Sequence, residues 1–288
     1  MDLAAIVVIQ VLYGIASLLI ISAGLAVIFG MMKVINLAHG EFLMLGGYAT
    51  LGASKVGINL WVAMLVVAPV AVGLVGVVLE RLVIRHLYGR MIDTMLATWG
   101  LSLLLVGVVT SVVGNTTAGI STPLGSFSIG SYSVSVYTLV IIGVAVVLAL
   151  VLRWVLLRTQ LGLIARGTMQ NPQMADALGI SPSRVYSVTF AVGAALSGLA
   201  GGLLAPLTGV VPTMGGAFIA KAFITVIGGG PAILAGLVGA STFFGAINQI
   251  AAFLSTPVFG EVALLVAAIV MLRLLPQGIT GRFFKGSL

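Results

Sequence analysis

Long apolar runs, each near the length needed to cross a lipid bilayer, are the feature that most restricts the fold of this chain. A helix needs about 20 apolar residues to span the hydrocarbon core. Runs of this kind occupy residues 5–30, 60–84, 94–114, 136–157, 186–208 and 231–253, and another, 258–275, ends at Pro276. Two weaker runs, 36–54 and 213–229, are interrupted by Gly, Pro or polar residues. The pattern predicts an all-α polytopic membrane protein with eight or nine transmembrane helices, some of them broken or re-entrant.

The composition excludes a water-exposed globular domain. Only 7% of the residues are charged and 60% are hydrophobic, whereas soluble domains carry about 25% charged residues. The chain has no cysteine, which excludes disulfides, thiolate metal sites and Cys nucleophiles. The net charge of +7 does not indicate a nucleic-acid partner, because the Lys and Arg residues fall between apolar runs and form no basic face.

The positions of the Lys and Arg residues predict the topology, since positive residues are enriched in cytoplasmic loops. One orientation of the chain in the membrane puts 11 of the 13 positive residues on the cytoplasmic side. These are Lys33, Arg81, Arg85, Arg90, Arg153, Arg158, Arg166, Arg184, Arg273, Arg282 and Lys285. This places the N-terminus outside and the C-terminus inside, with about nine crossings, and leaves Lys221 within the membrane. Asp2 stands where a signal peptide would be positive, so the first run is expected to be a retained span.

Polar residues cluster where the second run begins, in VINLAHGEFLMLGGYAT (residues 34–50). Asn36, His39 and Glu41 lie within six residues of each other, beside glycines that loosen the helix. A charge at the bilayer centre costs about 2.5–3.5 kcal/mol on insertion scales, and glycine-broken polar helices line the substrate paths of transporters. We therefore predict that Asn36, His39 and Glu41 line a translocation path. The alternative is an interhelical structural network.

Lys221 is also out of place in an apolar run, and we assign it to the same path. Intramembrane charges usually pair, so Glu41 and Glu261 are its candidate partners. Near the cytoplasmic edge, Glu80 and Asp93 are expected to form local ion pairs with neighbouring arginines.

A faint internal repeat links the two interrupted runs. Each follows a long apolar run, and Gly40-Glu41-Phe42 in the first is echoed by Gly216-Ala217-Phe218 in the second. The topology would invert one half relative to the other, which predicts a path at the two broken segments. Gly193, Ser197 and Gly201, spaced by four, predict a close helix contact, either with a partner subunit or with a helix of this chain.

The loop 158–185 contains the signals of a short capped helix over residues 172–178. Asn171 suits the N-cap, Pro172 the first helical position and Gly179 the left-handed residue after the end. Such a short helix is marginal in water alone, so it needs a partner: its own bundle, or a cytoplasmic motor subunit that docks on it. The residues assigned to the helix and its coupling role are Asn171, Pro172, Met174, Ala175, Asp176, Leu178 and Gly179, with Met174, Ala175 and Leu178 expected on one face.

Catalytic and nucleotide motifs are missing from the sequence. There is no G-x-x-x-x-G-K-[ST] phosphate loop and no H-E-x-x-H, and the nearest match to a serine elbow, residues 126–130, lacks its first glycine. We predict no catalytic residue, no metal site and no cofactor in this chain.

Four segments resemble the permease subunits of ABC importers for branched-chain and other hydrophobic amino acids, a family that includes urea and short-amide importers. These segments are VINLAHGEFLMLGGY, ARGTMQNPQMADALGI, KAFITVIGGGPAILAGLVGA and LLPQGITGRFFKG. The resemblance implies a single transmembrane permease domain over residues 1–288, in the bacterial inner membrane, with a cytoplasmic coupling loop at 158–185. Ala175-Asp176-Ala177 and Gly179 match the coupling-loop pattern, with Asp replacing the more usual small residue or Glu.

The same resemblance implies partners: a second permease, homologous or identical, two cytoplasmic ATPase subunits that hold ATP and Mg, and a periplasmic substrate-binding protein. Lys221-Ala222-Phe223 is similar to the amino-acid branch, and Met169-Gln170-Asn171 is similar to the urea and amide branch. The expected cargo is a branched-chain or other hydrophobic amino acid, with urea or a short amide as the alternative. An ion-coupled secondary carrier with Glu41 as its proton site is a further alternative.

Overall fold

The computed structural model describes residues 2–130 and 132–281, and helices dominate this part of the chain. The helices are α1 (Asp2–Met32), α2 (His39–Lys55), α3 (Leu60–Val62), α4 (Ala68–Leu82), α5 (Met91–Val113), α6 (Val136–Arg158), α7 (Gln160–Gln170), α8 (Pro172–Ala177), α9 (Pro182–Thr208), α10 (Gly215–Gly229), α11 (Ile233–Leu254) and α12 (Pro257–Leu274). A π-helical segment, Ala63–Val67, joins α3 to α4, and a 3₁₀ turn, Ile84–Leu87, follows α4. Strands β1 (Ser126–Ile129) and β2 (Tyr132–Ser135) form an antiparallel hairpin.

Seven helical segments of the described chain are long and apolar enough to cross a membrane: α1, the continuous α3–α4 segment, α5, α6, α9, α11 and α12. Each coincides with one of the seven uninterrupted runs, and the ends differ by only a few residues. The all-α polytopic membrane fold is therefore confirmed. The two interrupted runs form the shorter helices α2 and α10, and whether these cross stays a prediction. Arg282 and Lys285, used for the topology, lie outside the described residues.

The two interrupted helices begin in the same way. Residues 33–38 separate α1 from α2, and residues 209–214 separate α9 from α10, so each break has six residues. Gly40 and Gly216 are each the second residue of their helix, which places the sequence echo at equivalent positions. The inversion of one half relative to the other stays a prediction.

The chain divides into two compact units. Of the described residues, the first comprises 2–22, 122–130, 132–151 and 221–281, and the second comprises 23–121 and 152–220. In the second unit, α9 packs against α2 and α4. The small-residue stripe of α9 makes this possible: a Cβ on Gly201 would lie 2.6 Å from the Leu43 carbonyl carbon, and one on Gly193 would lie 2.8 Å from Gly24 O. Of the two possible partners, a second subunit or the same chain, the stripe faces helices of its own chain.

In the first unit, α11 packs against α12 over a core formed by Leu18, Phe244, Leu264 and Met271 together with small residues. The glycine-rich turn after α10 is closed by the segment that follows α12. Thr280 Oγ1 donates to Gly229 O at 2.6 Å, and the N–H of Ile279 donates to Gly228 O at 2.8 Å. The glycine-rich motif and the described part of the chain's closing motif thus form one structural feature.

Candidate functional site

The start of α2 is held by an irregular loop, residues 33–38, in which Asn36 and Ala38 are fully buried. Asn36 Oδ1 accepts a hydrogen bond from the N–H of Ala38 at 3.0 Å, which turns the chain into the helix. Thr98 Oγ1, on α5, accepts from the N–H of Leu37 at 3.0 Å, and its own hydrogen is shared between Ile35 O at 3.2 Å and Met95 O at 3.0 Å. α5 therefore supplies hydrogen-bonding partners to two backbone groups of the loop, as a broken segment inside a membrane protein requires.

Glu41 lies in the first turn of α2 and is only 5% exposed. Its Oε1 accepts a 2.6 Å hydrogen bond from Ser102 Oγ on α5. Its Oε2 has no hydrogen-bond partner among the described residues. A helix N-terminus favours a carboxylate, but Oε2 remains a buried acceptor whose desolvation no hydrogen bond offsets.

The carboxylate of Glu41 lies against the start of α10. A Cβ added to Gly215 would be 2.5 Å from Glu41 Oε2 and 2.6 Å from the Gly40 carbonyl carbon. The N-terminal ends of the two interrupted helices therefore meet at Gly40 and Gly215, and any side chain at Gly215 would displace the carboxylate. This is the place where the repeat predicted a path.

His39 points to a different helix from Glu41, as their spacing on a regular helix predicts. Its ring is fully buried, and its Nδ1 lies 3.1 Å from Ser197 Oγ on α9. Because Ser197 donates to Gly193 O at 2.9 Å, the geometry favours donation from His39 Nδ1 to Ser197. Asn36, fully buried, has an Nδ2 without a partner among the described residues. The start of α2 thus brings together three buried polar side chains, of which two carry unsatisfied atoms.

Lys221, the fourth residue assigned to the path, pairs with Glu261 rather than with Glu41. Lys221 Nζ lies 2.6 Å from Glu261 Oε1, an ion pair between α10 and α12 within the first unit. Both side chains keep partial exposure, 26% for Lys221 and 46% for Glu261. The charge of Lys221 is therefore neutralised by Glu261, and Glu41 is not needed as its partner.

The short helix in the 158–185 loop has the predicted caps. Asn171 Oδ1 accepts from the N–H of Met174 at 2.9 Å, and Pro172 is the first helical residue. At the other end, Gly179 has φ +82°, and the N–H groups of Gly179 and Ile180 donate to Asp176 O and Ala175 O, both at 2.9 Å. This is a Schellman motif. Both ends are fixed by local geometry.

The face predicted for this helix divides into a buried and an exposed part. Ala175 is buried, because α8 contacts α7 and α9. Met174 and Leu178 are 58% and 73% exposed. The helix therefore packs on its own protein through Ala175, and it presents two apolar side chains away from it.

A buried carboxylate network on the second unit extends beyond the ion pairs that the sequence predicts. The expected ion pairs are present, Arg85 to Glu80 at 3.6 Å and Arg90 to Asp93 at 3.8 Å. In addition, the fully buried Glu80 accepts hydrogen bonds from Tyr88 and from Ser187 on α9. Burial, and next the hydrogen bond to Glu80, raise the pKa of Tyr88 well above its usual value, so Tyr88 remains a neutral donor.

Ser102 and Ser197, which hold Glu41 and His39, are site residues that the sequence pattern did not predict. Each is a hydroxyl in an apolar run. Thr98 and Ser102, four residues apart on α5, point along one face toward the start of α2. The four-residue spacing of two hydroxyls in an apolar run was the sequence signal that could have identified this polar face of α5.

Comparisons with known proteins agree with this architecture. The sequence profile of the family described as "Branched-chain amino acid transport system / permease component" matches residues 7–275. A probable branched-chain amino acid transport permease protein, LivH, from Methanocaldococcus jannaschii is 27% identical over 93% of this chain and 90% of its own length. The high-affinity branched-chain amino acid transport system permease proteins LivH of Salmonella typhimurium and BraD of Pseudomonas aeruginosa are 28% and 27% identical, each over 91% of both chains.

The profile covers nearly the whole chain, and the relatives match it almost from end to end. Members of this family are transport subunits and not enzymes. The chain therefore belongs to the family of permease components of branched-chain amino acid transport systems, and it is a multi-pass protein of the bacterial inner membrane that works with other subunits.

Proposed function

We propose that this chain is the permease subunit of an ATP-driven importer that moves branched-chain or other hydrophobic amino acids across the inner membrane. The observation that carries the ATP-driven part is α8, a helix fixed at both ends that exposes Met174 and Leu178. Exposed apolar side chains on a rigid short helix are typical of a docking surface. A self-contained carrier has no need of such an element.

The partners in this proposal are a second permease, identical or homologous, two cytoplasmic ATPases that hold ATP and Mg, and a periplasmic substrate-binding protein. α8 transmits the ATPase movement to α7 and α9, which it contacts. Because α9 also holds His39 through Ser197, a shift of α9 changes the surroundings of α2. The path is lined at that point by Asn36, His39 and Glu41. The Lys221–Glu261 ion pair either lines another part of the path or stabilises the packing of α10 on α12.

The cargo is a small, net-neutral polar solute. Charged side chains are few, so a strongly charged solute would lack compensation in the low-dielectric interior, whereas a zwitterion can be met by backbone groups at the broken helices. The names of the relatives favour amino acids. The urea alternative depends on the similarity of Met169-Gln170-Asn171 to the urea and amide branch. Asn171 caps α8, so its presence is explained by helix capping and does not by itself favour urea.

Stimulation of ATP hydrolysis by candidate cargoes tests the substrate class. The complete complex, reconstituted with its binding protein, is expected to hydrolyse ATP faster when leucine is added than when urea or acetamide is added. Stimulation by urea or acetamide alone would move the chain to the amide branch. Stimulation only by a sugar or a metal ion would contradict both assignments.

A further inference from the structure

A cavity of about 240 Å³ opens in the second unit, between the ends of α1 and α6 and the starts of α7 and α9. Its walls are apolar side chains such as Val27, Leu152, Leu161 and Val188. Arg184, in the first turn of α9, is the one charged residue among the described residues that line it. The cavity is therefore apolar, with a single cationic side chain among its described lining residues.

Positive charge in residues 153–184, the segment that contributes Arg184 and part of the cavity wall, has no carboxylate counter-charge among the described residues. Arg153, Arg158, Arg166 and Arg184 fall within 32 residues that contain one acid, Asp176. The ion pairs of residues 2–130 and 132–281 join other residues, so none of these four arginines pairs with a carboxylate there. Arg184 and Arg158 are exposed, so they are available to an anion from outside the chain.

The cavity lies at a membrane boundary. α6 is a spanning helix that ends at Arg158, α9 is a spanning helix that begins at Pro182, and α7 follows α6 directly. Leu161 and Leu163 of α7 are 68% and 64% exposed, which water would disfavour but the headgroup region accommodates in an interfacial helix. An occupant from the bilayer can reach the slot from this level.

We propose that this cavity binds an acyl chain of an anionic phospholipid whose phosphate is held by Arg184. The apolar walls suit the chain, and a guanidinium binds phosphate oxygens through two parallel hydrogen bonds. Arg184 is a cation at a helix N-terminus, where the macrodipole disfavours it. A phosphate at that position is favoured by the arginine and by the helix end together. The proposal rests on the membrane fold and not on the ATPase or the cargo.

The test measures lipid retention by the full chain purified in detergent, using native mass spectrometry with phosphatidylglycerol or phosphatidylcholine of identical acyl chains. Phosphatidylglycerol is expected to bind more tightly. One arginine near an anionic headgroup contributes about 1 kcal/mol, so Arg184→Gln should weaken phosphatidylglycerol binding about fivefold. It should weaken phosphatidylcholine binding less, because the choline cation offsets the charge of that lipid's phosphate. Ala165→Leu, which narrows the slot, should weaken both lipids.

Arg153→Gln is the matched control, because Arg153 is exposed and does not line the cavity; it should stay within about twofold of the parent chain. Equal retention of the two lipids, or equal losses for Arg184→Gln and Arg153→Gln, would overturn the proposal. Displacement of phosphatidylglycerol by inorganic phosphate would assign the site to a free anion. Loss of the lipid when the ATPase binds would assign the slot to that partner, and both outcomes contradict a lipid site.

Discussion

Replacing both Met174 and Leu178 with Asp is expected to abolish ATP-coupled uptake while the chain remains inserted in the membrane. Both side chains are exposed on a helix whose ends are fixed by Asn171 and Gly179. Burying a Met or Leu side chain contributes about 1.5–3 kcal/mol, and a carboxylate in its place would be desolvated without a partner. Association with the ATPase should weaken by at least about a hundredfold. Co-purification with the ATPase and uptake into membrane vesicles measure the effect.

The control adds the same two charges at polar positions of the same loop. Gln170 and Gln173 are exposed, and Asp at both is expected to leave ATPase binding and uptake close to the parent values. If the Met174 and Leu178 variant takes up substrate normally, α8 does not couple the ATPase to the membrane. If both double variants fail equally, added charge in the loop is the cause and the docking surface is elsewhere.

Changing Glu41 to Gln is expected to lower uptake at least about tenfold, a loss of about 1.4 kcal/mol or more in a rate-limiting step, without loss of assembly. Gln keeps the size of Glu41 and can still accept from Ser102, so the contact between α2 and α5 survives. What changes is the charge and the unpartnered Oε2 beside Gly215. Uptake should be compared at equal amounts of purified complex.

Asp93→Asn is the matched carboxylate-to-amide change. Asp93 is half exposed, in an ion pair with Arg90 at a helix start, and the variant is expected to transport normally, because exposed pairs contribute about 1 kcal/mol or less. Unchanged uptake by Glu41→Gln would return Glu41 to a structural role in the packing of α2. Failure of the Glu41→Gln complex to assemble would likewise assign Glu41 to that structural role.

The spanning helices could be predicted from sequence because their signal is strong and local. The π-helical segment could not, although its cause can be read in retrospect: Pro69 lacks the N–H that would bond to Leu65 O. Just before Pro69 the helix takes up one extra residue per turn. The N–H of Ala68 therefore donates to Ala63 O, five residues back, and not to the carbonyl four residues back. α7 was missed because its apolar residues are few, and the hairpin at 126–135 because polar Ser residues alternate with only four apolar ones.

At the candidate site, sequence reasoning selected the buried polar residues but not their partners. Glu41 and His39 were identifiable because charge and polarity are rare in such a chain. Which hydroxyl each would meet depends on how α2, α5 and α9 are packed, and no local signal gives that. Lys221 shows the same limit: two acids were candidates, and only the packing of α10 on α12 selects Glu261. The caps of α8 are the opposite case, since Asn171 and Gly179 act on neighbours in sequence.

Uptake of leucine into proteoliposomes that contain the complete complex and the binding protein tests the central claim most directly. With ATP and Mg supplied on the ATPase side, leucine is expected to accumulate, and a non-hydrolysable ATP analogue should stop accumulation. A proton gradient without ATP should give none. Accumulation driven by the proton gradient, with or without the ATPase subunits, would contradict an ATP-driven permease and favour a carrier that uses Glu41 as its proton site.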